Sequence, residues 1–132
     1  MRDDAARIRA LIKRWADAVH QGDLDAVVAD HAEDIVMSDV PPRHDGVRGL
    51  AAWRKVWPPF FDRQARGASF AIVSLPVTAG DEVAFAHAPL RCGSPQDPAG
   101  HPELRLRLTP GLRKQGGRWV VAHEHHSIPH TG

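Results

Sequence analysis

At 132 residues, 42% hydrophobic and 25% charged, the chain has the size and composition of one soluble domain with one core. Its 17 basic and 16 acidic side chains leave a formal charge of +1 with no block of like sign, which argues against nucleic acid or an anionic membrane as the main partner. Cys92 is alone, so neither an internal disulfide nor a thiolate-rich zinc site is possible; the charged start MRDDAARIRA is no signal peptide and no membrane span is present, so the expected location is the cytoplasm.

Ile8, Leu11, Ile12, Trp15 and Val19 recur at helical spacing, and Gly22 stops that first helix. Asp23 then caps a second, DLDAVVADHA, with Leu24, Val27, Val28 and His31 as its inward stripe. A strand follows in DIVMSDV. After a loop at Pro41, Pro42 and Gly46, GLAAWRKVWPPFF turns Leu50, Trp53, Val56, Trp57 and Phe60 to one side until Pro58 and Pro59 break the helix. The remainder reads as strands: ASFAIVSLPV, EVAFAHAPL after the turn AGD, ELRLRLTPGLRK, and WVVAHEHHSIP after the turn QGG. Helices followed by strands predict an α+β fold, with three helices packed on one face of a mainly antiparallel sheet. No P-loop or GxGxxG occurs, and no cofactor is expected.

Alternation in DIVMSDV sets Met37 and Asp39 on one face, where apolar neighbours would raise the Asp39 carboxyl pKa toward that of a general base. The competing role for Asp39 is to start the PPRHDG loop by bonding local amides. Trp15, Trp53, Trp57 and Phe60 lie on core stripes, and an indole N–H in a pocket wall would also serve as a directed donor. His87 shares a face with Val83 and Phe85 and is either a hydrogen-bonded core residue or an acid–base group. In the closing strand, alternation puts Trp119, Val121, His123 and His125 on one face and Val120, Ala122, Glu124 and His126 on the other. His123 and His125 have the spacing of two metal ligands from one strand, but no third ligand is evident. Glu124 beside His126 would fix that imidazole's tautomer, unless both lie at a solvated strand end.

RWADAVHQGDLDAVVADHAEDIVMSDV, the Pro-rich loop and GLAAWRKVW together resemble the N-terminal half of ketosteroid isomerases and SnoaL-like polyketide cyclases of the NTF2-like superfamily. RKQGGRWVVAHEHHSIP is similar to the SnoaL-like subgroup and to the association domain of calcium/calmodulin-dependent protein kinases. The resemblance implies a cone of three helices closing a strongly curved sheet around a deep apolar pocket, paired through the sheet as a homodimer. It implies Asp39 as general base, with Glu124 and His126 inward and His123 and His125 on the opposite side. Two departures stand out: Trp15 takes the place of the oxyanion-hole tyrosine and Pro110 that of the protonated aspartate.

The expectation is an isomerase-, cyclase- or dehydratase-like enzyme acting on a small apolar or cyclic molecule. Asp39 would move the proton, and His126 oriented by Glu124, or else His87, would be the complementary acid. Trp15, Trp53, Trp57, Phe60 and Met37 would line the pocket. The alternatives are a non-catalytic ligand-binding or oligomerisation domain and a metal site at His123 and His125.

Overall fold

In the computed structural model, residues 3–38, 46–67, 69–93 and 106–127 are described. The first apolar stripe forms α1 (Asp4–Gln21), with Ile8, Leu11, Ile12, Trp15 and Val19 all buried. Asp3 caps it by accepting the Ala6 N–H at 3.0 Å. At its other end Gly22 turns left-handed, with φ of 67°, so that its N–H reaches the Val19 carbonyl. The Gln64 amide donates to the Val19 and His20 carbonyls at 2.8 and 3.2 Å, which fills further acceptors at the helix end.

The second helix, α2 (Leu24–Val28), starts at the Asp23 cap but ends three residues short of His31. Asp30 takes a φ of 61°, alone among the described non-glycine residues in doing so, and the chain turns there. Aspartate tolerates that conformation better than most residues because its short side chain can bond locally. His31 therefore opens β1 (His31–Ser38) and does not complete the α2 stripe. β2 (Val47–Arg48) pairs antiparallel with β1.

The expected third helix is two: α3 (Leu50–Arg54) and α4 (Trp57–Ala65). Pro58 and Pro59 do not break it; they occupy the first turn of α4, where a missing N–H removes no intrahelical bond. Trp53, Trp57 and Phe60 are buried, in keeping with the apolar stripe.

The sheet contains β3 (Ser69–Ile72), β4 (Val77–Ala79), β5 (Val83–Ala86), β6 (Ala88–Gly93), β7 (Leu106–Gln115) and β8 (Arg118–Ser127). ASFAIVSLPV thus divides into β3 and β4, and EVAFAHAPL divides at His87 into β5 and β6. β5 and β6 pair with different halves of β7, since one straight strand could not follow its whole length. The order is β2-β1-β8-β7-β5-β4, with β6 joining β7 to β3, and among the described strands only β1 with β8 is parallel. Helices first and a mainly antiparallel sheet afterwards make the fold α+β, as the order of segments predicts.

One irregularity decides which side chains of β8 face the core. Leu112 pairs with Val121 and Gly111 with His123, so Ala122 is an extra residue on β8. A bulge of this kind reverses the alternation and bends the strand. Trp119 and Val121, expected on the His123 and His125 face, are buried together with Glu124 and His126, while His123 and His125 are exposed. Gly111 admits the close approach, because a Cβ there would lie 3.3 Å from the His123 Cβ.

Substituting Gly22→Ala places a Cβ at a left-handed φ and should lower stability by about 1–2 kcal/mol in urea denaturation. An unchanged midpoint would show that the helix end does not need this conformation.

Candidate active site

Strand β8 carries Glu124 into the core, where it is only 2% exposed. A carboxylate removed from water is tolerated only when donors replace the lost hydration. Here Oε1 accepts from Trp53 Nε1 at 3.2 Å and from His126 Nε2 at 3.3 Å. On the other side, His31 Nε2 stands 3.6 Å from Oε2, within ion-pair range but longer than a hydrogen bond. Three elements, α3, β1 and β8, thus supply the groups around this one carboxylate.

His31 is fixed from two directions. Its ring stacks on Trp53 with centroids 4.3 Å apart at 27°, and its Nδ1 lies 2.8 Å from the Ala29 carbonyl. A carbonyl oxygen only accepts, so Nδ1 carries a proton and Nε2 is the nitrogen presented to Glu124. The turn that makes this possible is anchored to β8: the Asp30 carboxylate accepts from Arg118 at 2.8 and 3.1 Å, and its carbonyl accepts the Val121 N–H at 2.8 Å.

Burial pushes the Glu124 carboxyl pKa up, but the His126 hydrogen bond and the nearby His31 imidazole outweigh it and hold the group down from 4.5 to about 2. The cluster is therefore built around an anion. An anion so placed orients its imidazoles.

Beside Glu124 and His31 is a cavity of about 10 Å³, also walled by Trp15 and Pro110, with aliphatic side chains of α1, β7 and β8 closing the rest. That volume admits one water-sized group. The deep pocket implied by the resemblance is not open among the described residues. Trp57 packs edge-on against Trp15, Trp53, Phe60 and Phe70, and these rings occupy the interior beneath the helices. Of the expected pocket residues Trp15 borders the cavity, whereas Trp53, Trp57, Phe60 and Met37 belong to the packed core.

Asp39 lies outside the described residues. His87 is exposed at the break between β5 and β6, on the face where Phe85 is 54% exposed, and it does not join the buried cluster. Alternation had rightly grouped His87 with Val83 and Phe85, but that face is the outer one. His123 and His125 are exposed as well, and among the described residues no group of three His, Cys, Asp or Glu is arranged to hold a metal ion. The place of His31 beside Glu124 was not legible in the pattern, because His31 fits the α2 stripe at helical spacing. The dipeptide Asp30-His31 was the available signal, since Asp is suited to the left-handed turn that ends the helix early.

Removing the carboxylate strands its donors, so Glu124→Ala should cost about 3–5 kcal/mol, and Trp53→Phe, which keeps the ring but not the N–H, about 1–3 kcal/mol; both are read by denaturant unfolding at neutral pH. Because the folded pKa of Glu124 is depressed, its ionised form contributes stability that is fully present above about pH 4.5 and lost as pH falls toward 2. Glu124→Gln should flatten this acid limb of the stability profile. An unaltered limb would assign it to other carboxyls, of which Asp4 and Asp34 are also held low by hydrogen bonds from Trp119 and Arg113.

The sequence model of the SnoaL-like domain matches residues 8–131. An NTF2-like protein of unknown function from Pseudomonas putida KT2440 is 34% identical, with a TM-score of 0.81 over 96% of this chain and 87% of that one. An uncharacterized protein with a cystatin-like fold from Caulobacter vibrioides, 16% identical, gives a TM-score of 0.78 over 98% of this chain and 92% of the other. A protein from Parabacteroides distasonis ATCC 8503, provisionally named a ketosteroid isomerase, is 16% identical with a TM-score of 0.71 over 98% and 90%. The last two likenesses speak for the fold alone. No curated protein matches the chain. With nearly its whole length covered, the chain belongs to the SnoaL-like domain family and has the NTF2-like fold.

Proposed function

We propose that this SnoaL-like domain is a small-molecule enzyme that works by general acid–base chemistry, of the ketosteroid isomerase-like kind, on a largely apolar or cyclic substrate. The observation that supports it is the buried Glu124 carboxylate gripping His126 and facing His31 beside a cavity. A structural core gains little from such an arrangement, because a well-packed apolar set of equal volume is as stable or more so. An imidazole oriented by a carboxylate is instead suited to proton relay.

In this reading Asp39 removes or relays a substrate proton and His126, oriented by Glu124, supplies the complementary acid. Isomerisation, aldol-type cyclisation and dehydration all draw on that pair. Steroid isomerisation itself is disfavoured: Trp15 offers a weaker donor than a phenol, and Pro110 offers none, while losing one oxyanion donor typically lowers rate on the order of a hundredfold. A cytoplasmic homodimer paired through the outer sheet face completes the reading. It is supported by the exposed Val83 and Phe85 and by the absence, among the described residues, of a helix long and apolar enough to cross a membrane.

The small cavity favours a second reading, a non-catalytic ligand-binding or oligomerisation domain. Turnover of small cyclic ketones and alcohols by wild type, Asp39→Asn and His126→Gln separates the two. The enzyme reading expects both variants to lose about a hundredfold or more in rate while remaining folded. Undiminished turnover in both would remove these residues from the mechanism, and saturable binding without any chemical change would favour the second reading.

A further inference from the structure

Glu124 uses its two oxygens differently. Oε1 accepts from both Trp53 Nε1 and His126 Nε2, whereas Oε2 faces His31 Nε2 at 3.6 Å. Trp53 also stacks on His31, with ring centroids 4.3 Å apart. His31, Trp53 and Glu124 thus close a loop of three contacts. His126, which has other contacts as well, meets that loop at Oε1.

The loop is held from outside. Turning the His31 ring would break the Nδ1 contact to the Ala29 carbonyl or the stack on Trp53. The turn that carries this carbonyl contains the left-handed Asp30, which is bonded through its side chain to Arg118 and through its backbone to Val121, both on β8. The place of His31 Nε2 is therefore set by the backbone of the same strand that carries Glu124. With side-chain exposures of 1% for His31 and 2% for Glu124, solvent does not screen the two groups from each other.

Packing alone does not call for an imidazole at this position. A phenyl ring would stack on Trp53 as well and would spare the burial of Nε2, which has no hydrogen-bond partner. What a phenyl ring lacks is a polar atom facing Oε2. Released on that side, the carboxylate could tilt about its Cγ–Cδ bond and carry Oε1 away from His126. The Oε1 contact in turn decides which His126 nitrogen bears the proton. An ionised carboxylate only accepts, so Nε2 donates and the neutral ring is the Nε2–H tautomer.

We propose that His31 is a positioning residue of the acid–base centre and acts through Glu124: by holding Oε2 it fixes the plane of the carboxylate, and the carboxylate fixes the tautomer and ring orientation of His126. The relation among the three side chains stands on their geometry; that it serves catalysis rests on the acid–base reading above.

The test uses protein labelled with ¹⁵N in its nine histidines, with His126→Gln identifying the His126 ring. Wild type, at a pH where that ring is neutral, should show it as a single Nε2–H tautomer. In His31→Phe, which keeps a flat ring against Trp53, both tautomers become populated and the two His126 ring nitrogens should draw together in chemical shift. If that variant does not fold, His31→Asn, which retains a donor for the Ala29 carbonyl but has no Nε2, carries the same expectation. Phe70→Leu alters the core at Trp15, Trp57 and Phe60 without touching Glu124; it should lower stability and leave the His126 pattern as in wild type. Mixed tautomers in wild type, an unchanged pattern in the His31 variant, or the same change in Phe70→Leu overturns the proposal. On a substrate that wild type turns over, His31→Phe should lower kcat by about tenfold or more with KM little changed. Loss of the single tautomer in a protein that turns over nothing keeps the positioning relation and removes the enzyme reading; turnover with a kcat indifferent to His31→Phe does the reverse.

Discussion

An ionised carboxylate buried in an apolar interior must be compensated in full, and Glu124 imposes that requirement on this domain. Two direct hydrogen bonds, from Trp53 and His126, and the nearby His31 ring meet it. Each of these groups comes from a different part of the sequence, so the whole fold has to be assembled before the carboxylate is stabilised. The cluster consequently ties local packing to global topology, and a fault in any of its three partners leaves a charge exposed to low dielectric.

Two backbone irregularities supply the geometry. The extra residue Ala122 turns Glu124 and His126 to the same side as Val121 and Trp119, which a regular strand would forbid. The left-handed Asp30 ends α2 early and aims the Ala29 carbonyl at His31. In the parallel pairing of β1 with β8 the register also shifts between His31 and Val36, so that His31 opposes Val121 while Met37 opposes Glu124. Departures from regular structure concentrate at functional sites because regular elements cannot bring side chains of different phase together.

Around this centre the interior is filled rather than hollow. Edge-on contacts among Trp15, Trp57, Phe60 and Phe70 occupy much of the space between the helices and the sheet. Each such contact adds to the burial of large rings, and the small residual cavity sits where aromatic packing gives way to the polar cluster. At the rim, Asp4 at the start of α1 receives the Trp119 indole N–H and the Lys114 ammonium, which fastens the first helix to the last hairpin.

Periodicity by itself determined much of the framework. The stripe from Ile8 to Val19, the cap at Asp23, the change from helices to strands and the inward pairing of Glu124 with His126 all follow from local spacing or from short motifs carried by the resemblance. Those features depend on residues within one or two turns of each other, and the local chain encodes them. Tertiary structure decided the rest. Pro58 and Pro59 start a helix because the preceding turn, closed by N–H groups at Lys55 and Val56, ends α3 before them. His87 faces outward because β5 and β6 divide between the two halves of β7. His31 leaves its helical stripe because Asp30, bonded to Arg118 on β8, turns the chain. In each case the deciding bond spans the fold or sits at a junction between elements, where a pattern read along one segment contains no information about the partner.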